Sequence, residues 1–113
     1  MAVVDRLRTL TAQCMLDQIN YMGAGVHTNS TPTTPEMTGL VEELVRVPIT
    51  NAEVVGNAIQ YTAIFRNLPP CEITEMGLFV DQMGQTLVAR WLTSAVKPNK
   101  NNEYEVTWTL QLD

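Results

Sequence analysis

Apolar and polar positions alternate most strictly near the C-terminus. Tyr104, Val106, Trp108, Leu110 and Leu112 interleave there with Glu103, Glu105, Thr107, Thr109 and Gln111. The alternation predicts a strand with one buried and one wet face. Residues 57–66 alternate in the same way, with Ile59, Tyr61, Ala63 and Phe65 pointing together, and predict a second strand. In residues 73–80, Met76, Leu78 and Val80 share one face, and Ile73, Glu75, Gly77 and Phe79 share the other. Both faces are mostly apolar, which predicts a central strand covered on both sides. The loop 81–85 and a further apolar run at 86–92 complete a β-hairpin, with Gly84 suited to the left-handed position near its end.

Helical spacing occurs at residues 9–22. Ala12, Met15, Leu16, Ile19 and Met22 form one stripe, Thr9 or Thr11 could cap its start, and Gly23 and Gly25 would end it. Residues 1–8, with Val3, Val4 and Leu7, fit either an extension of this helix or an arm reaching a neighbour. Residues 26–38 are rich in Thr, Ser, Asn and Pro and read as a long loop. Leu40, Val41, Leu44 and Val45 suit a short helix, with Glu42 and Glu43 near Arg46, whereas Val45, Val47 and Ile49 suit a strand. A helical turn running into a strand that ends near Pro48, at a sheet edge, reconciles the two. Residues 51–56 read as a turn.

The expected fold is therefore mainly β (α+β): an antiparallel β-sandwich or small sheet of about five strands with one N-terminal helix packed on it. Residues 1–113 form a single domain, divided into an arm and helix (1–25), a Thr/Pro-rich loop (26–38) and a β-rich core (39–113).

Composition narrows the function. A chain of 113 residues buries roughly two thirds of its unfolded surface, enough for a modest core. Charged residues make up 17% of it, below the roughly 25% of a typical soluble domain, so its surface is easier to desolvate against a partner. The net charge of −5 and the scattered basic residues argue against nucleic-acid binding. Neither a signal peptide nor a membrane-spanning run is visible. Cys14 and Cys71 read as reduced thiols packed as small hydrophobes.

Catalytic and metal chemistry find little support. His27 is the single histidine and has no Cys or His near it in sequence, whereas zinc wants three or four N/S ligands. Ser30 and Ser94 lack the context of an activated nucleophile, and Cys14 sits in the helical stripe, where a thiol is inert. Glu42 and Glu43 are adjacent and diverge on a helix. Glu75 faces apolar neighbours and needs a partner, with Arg66 and Arg90 in view, so a structural ion pair is expected. Trp91 and Trp108 both fall on apolar faces, which favours core over a sugar-stacking platform. No catalytic residue, metal or cofactor is expected.

The central hairpin also carries a resemblance. Ile73-x-Glu75-x-Gly77-Leu78-Phe79, a loop with Gly84, and Leu87-Val88-Ala89-Arg90 resemble the N-terminal domains of tailed-bacteriophage tail-fibre (tail-collar) proteins and related small virion proteins. Gly23-Ala24-Gly25 before the Thr/Pro-rich stretch adds to the pattern. So do Thr38-Gly39-Leu40 with Glu42, Glu43 and Arg46, and Lys97-Pro98 before the last strand. Together these marks extend it over about residues 21–112. The resemblance implies a structural, non-enzymatic protein of the virion, assembled in the host cytoplasm. It would be an adaptor or attachment protein at the tail, fibre root or neck, with a head decoration (cement or head-fibre) protein or a carbohydrate-binding module as alternatives. The long fibrous shaft is not expected, because the sequence ends at Asp113 soon after the last strand, and this favours attachment or decoration over receptor binding. Expected partners are sibling copies, in a trimer or ring, and other virion proteins, with neither nucleic acid nor membrane. Val3, Val4, Leu7, His27, Thr31 and Thr33 are the expected assembly contacts.

Overall fold

Gly23 and Gly25 do not end a helix; they lie inside a strand. In the computed structural model, which describes residues 5–26, 32–69, 71–96 and 103–111, helix α1 spans Asp5–Gln18. It starts earlier and stops earlier than the apolar spacing predicts, and Thr9 and Thr11 lie within it. Its last turn closes with the Ile19 N–H donating to the Met15 carbonyl. The Asn20 side-chain amide then donates to the carbonyl of Gln18, satisfying a helix end without glycine. The helical stripe survives in part, with Ala12 buried and Met15 and Leu16 half-buried. Met22 falls at helical spacing by coincidence. It belongs to strand β1 (Tyr21–Gly25), where it and Ala24 point into the core.

Among the described residues six more strands follow: β2 (Glu43–Pro48), β3 (Asn51–Val55), β4 (Ala58–Phe65), β5 (Ile73–Phe79), β6 (Leu87–Val96) and β7 (Tyr104–Gln111). They form two antiparallel sheets, ordered β2-β1-β5-β6 and β3-β4-β7. The mainly β architecture with one helix is as expected, with two strands more than the pattern revealed. β3 escaped because it is a short edge strand, exposed at all but one position, so burial imposes no alternation on it. It pairs with β4 through a two-residue loop, Gly56-Asn57, with Gly56 at a φ of +62°. The possible second helix reduces to a turn at Val41 and Glu42 before β2, which ends on Pro48 at the edge of its sheet.

The core lies between the sheets. Met22, Ala24, Ile73, Met76 and Leu78 come from one side, and Ile59, Tyr61, Ala63, Phe65 and Val106 from the other. β5 is central and buried on both faces, as its sequence predicts. Ile73 departs from the expected facing: a register shift between Ile73 and Glu75 turns it into the core, away from Glu75, Gly77 and Phe79. The chain itself closes one side of the sandwich, passing from β2 to β3 through Ile49 and Thr50. On the other side, Trp91 of β6 and Trp108 of β7 meet edge to face, their planes 77° apart. Both are half-buried against the core. Cys14 is exposed on α1, contrary to the packed thiol expected; Cys71 is half-buried, and burial pushes its thiol pKa up.

Tyr61 is fully buried, and its hydroxyl has no hydrogen-bond partner among the described residues. Desolvation pushes its pKa up to about 12. The unfolded chain therefore loses this proton from about pH 10, whereas the folded chain keeps it, and stability falls as pH rises from there towards 12. Tyr61→Phe is expected to leave stability at pH 7 unchanged or raised by up to about 1 kcal/mol. It should also remove an alkaline loss of about 2–3 kcal/mol, read from urea unfolding curves at pH 8 to 12.

Candidate functional site

Of the motif residues, Glu75, Gly77, Phe79 and Arg90 converge on the outer face of the four-stranded sheet, whereas Ile73 and Leu78 face the core and Gly84 lies in the hairpin loop. Register places them in rows across it: Arg46, Gly23, Gly77 and Arg90 in one, and Glu43, Gly25 and Glu75 in the next. The glycines form a floor on which larger side chains lie flat. A Cβ on Gly25 would sit 2.5 Å from Glu75 Cγ and 2.8 Å from the Glu42 carbonyl oxygen. One on Gly77 would sit 2.7 Å from Leu87 Cδ1 and 3.1 Å from Phe79 Cε2, with Leu40 Cδ2 at 3.0 Å. In the sequence Gly23 and Gly25 read as helix terminators, and this flooring role was missed.

Glu75 is fully buried at the centre of this floor. Its Oε1 accepts from Arg90 Nε at 3.0 Å and from the Val41 N–H at 3.1 Å, and its Oε2 accepts from the Glu42 N–H at 2.9 Å. A buried carboxylate is tolerable when paired and hydrogen-bonded in this way. Of the two arginines considered as partners, Arg90 is the one used, and Arg66 is exposed. Arg90 Nη1 donates in turn to Thr33 Oγ1 at 3.0 Å.

These bonds hold residues 32–42 as a strap across the sheet. The Leu87 N–H donates to the Thr38 carbonyl, the Val26 N–H donates to the Glu42 carbonyl, and Thr38 Oγ1 donates to Gln85 Oε1. Leu40 covers Gly77. Within the hairpin loop that Gln85 belongs to, Gly84 takes a φ of +95°, and the Asp81 N–H donates to Thr86 Oγ1. Thr33 is exposed, but its hydroxyl is engaged within the chain. Val3, Val4, His27 and Thr31 lie outside the described residues, and Leu7 lies in α1.

A second ion pair flanks the floor. β2 carries a bulge opposite the Ala24–Gly25 step, which brings Glu43 and Arg46 onto one face even though they are three residues apart. Arg46 Nε and Nη2 donate to Glu43 at 2.8 and 2.7 Å, Nη1 donates to the Asp81 carbonyl, and the guanidinium lies 3.6 Å from the centre of the Phe79 ring. The Glu43–Arg46 pairing was legible as a helical pair; its strand setting was not.

An open pocket of about 370 Å³ lies between the strap and β6, lined by Thr33, Thr34, Pro35, Met37 and Leu87 to Arg90. Among the described residues of this lining, Arg90 is the one ionisable side chain, and it is bound to Glu75 and Thr33. Among the described residues, no three of His, Cys, Asp and Glu gather as a metal site, and no helix is long and apolar enough to cross a membrane.

Removing Arg90 would strand a buried carboxylate. Arg90→Met is expected to cost about 3–5 kcal/mol in urea unfolding and to speed amide exchange at Val41 and Glu42. Gly25→Ala should also destabilise strongly, by more than about 2 kcal/mol, since a backbone carbonyl faces the new methyl. Gly77→Ala should cost less, because the side-chain ends of Leu87 and Leu40 can yield.

In comparisons with known proteins, no family model, no curated protein and no solved structure matches this chain.

Proposed function

We propose that the chain is a structural component of a tailed-bacteriophage virion, an adaptor or attachment protein at the tail, fibre root or neck that works by protein–protein assembly rather than catalysis. The observation that carries this reading is the employment of the motif residues. Glu75 and Arg90 fasten the strap to its sheet, Gly77 makes room for Leu40 of the strap, Phe79 lies under Arg46, and Ile73 and Leu78 fill the core beneath. Residues so engaged serve the architecture of the chain. The resemblance of the hairpin to tail-fibre N-terminal domains supplies the setting. The mutual packing of Trp91 and Trp108 weighs against a carbohydrate platform.

The test is to locate the protein in purified particles. Antibodies raised against the recombinant chain should detect it in density-purified virions and, by gold labelling in electron micrographs, mark the tail or neck. Labelling of the capsid shell would move the assignment to head decoration. Abundance in infected cells with absence from purified particles would overturn the virion role.

A further inference from the structure

The free edge of β7 differs from the other sheet edges. β7 pairs with β4 residue by residue, from Ala58 opposite Gln111 to Phe65 opposite Tyr104, without a bulge. Among the described residues, no strand pairs with its other side. The remaining edges are blunted in ways that discourage strand addition. β2 is bulged and ends on Pro48, and β3 has five residues. The register of β6 is broken twice, and the strap takes its Leu87 N–H. The core is also unfinished beside β7. Its inward side chains Tyr104, Trp108 and Leu110 are half-buried, whereas those of β4 are fully covered at Ile59, Tyr61, Ala63 and Phe65.

We propose that β7 pairs antiparallel with β7 of a second copy about a two-fold axis through Thr107, making one continuous six-stranded sheet. The sequence is its own complement in this register. Directly opposed residues of an antiparallel pair point to the same face, so the axis must pass through a residue. Centred on Thr107, the pairing sets Thr107 against itself, Val106 against Trp108, and Tyr104 against Leu110. The carboxylate of Glu105 falls opposite the hydroxyl of Thr109, whereas an axis at Glu105 would oppose two carboxylates. The outer face already carries a threonine row across the sheet, with Thr62 Oγ1 and Thr107 Oγ1 3.2 Å apart. The axis extends that row into the second copy, and inside it brings two tryptophan pairs together. This self-complementarity selects a second copy over a foreign strand. The inference names one contact within the assembly reading and rests on that reading for its biological setting alone.

The experiment uses the full chain. Light scattering across a concentration series should give twice the chain mass for the wild type. Thr107→Lys and Thr107→Glu, each placing like charges together on the axis, should both halve it, and an equimolar mixture of the two should restore it. Recovery on mixing also shows that both variants fold. As a check needing no variant, amide exchange in residues 104–110 of the wild type should slow as concentration rises. A wild type that stays monomeric, or an oligomer whose mass is unchanged by Thr107→Lys, would overturn the β7 pairing. A monomeric chain still found in purified particles would sink this pairing and leave the assembly reading standing. A β7-paired dimer absent from particles would do the reverse.

Discussion

A carboxylate without water must find its compensation in the protein, and Glu75 finds it in three places at once. One partner, Arg90, comes from the adjacent strand of its own hairpin, and the other two are backbone amides of the strap. This couples elements that would otherwise be independent. If the hairpin register slipped, Arg90 would leave Glu75; if the strap lifted, two amides and the carboxylate would lose their bonds together. Satisfied networks of this kind specify an arrangement more than they stabilise it, because desolvation offsets much of the Coulombic gain.

The glycine floor follows from the same constraint. To reach the strap, the Glu75 side chain lies down over Gly25, and the Phe79 ring lies over Gly23 and Gly77. A β-carbon on Gly25 would run into the Glu42 carbonyl of the strap, and one on Gly23 into the Phe79 ring. Arg46 then covers the outer face of the Phe79 ring while bound to Glu43, so this side of the sheet is finished by stacked side chains. The two faces of the sheet are thus filled by different means, aliphatic packing inside and an ionic and aromatic layer outside.

The alternations in β4 and β7 revealed strands because burial controls one face of each, and β5 was legible as an apolar run covered on both faces. The Glu75–Arg90 pair was legible for a related reason: an acidic residue among apolar neighbours requires a cation nearby, and the hairpin supplied one. β1 was read as a helix end because its glycines look like terminators, and their actual role depends on side chains about fifty residues further along the chain. β3 carried no signal, since solvent accepts any residue along its edge. The strap read as a loop, which it is, but its attachment uses backbone amides that every sequence possesses. Side-chain pattern cannot announce such a bond.

β1 occupies an inner place in its sheet, and both of its neighbours, β2 and β5, lie later in the chain. During synthesis it has no partner strand until Glu43–Pro48 has emerged, and its second edge stays open until Ile73–Phe79 follows. Its register with β5 joins Tyr21 to Phe79, a closure that costs chain entropy before any contact repays it. Folding of this chain is governed by its topology and should be slow for its size, on the scale of milliseconds to seconds typical of sandwiches dominated by non-local pairings.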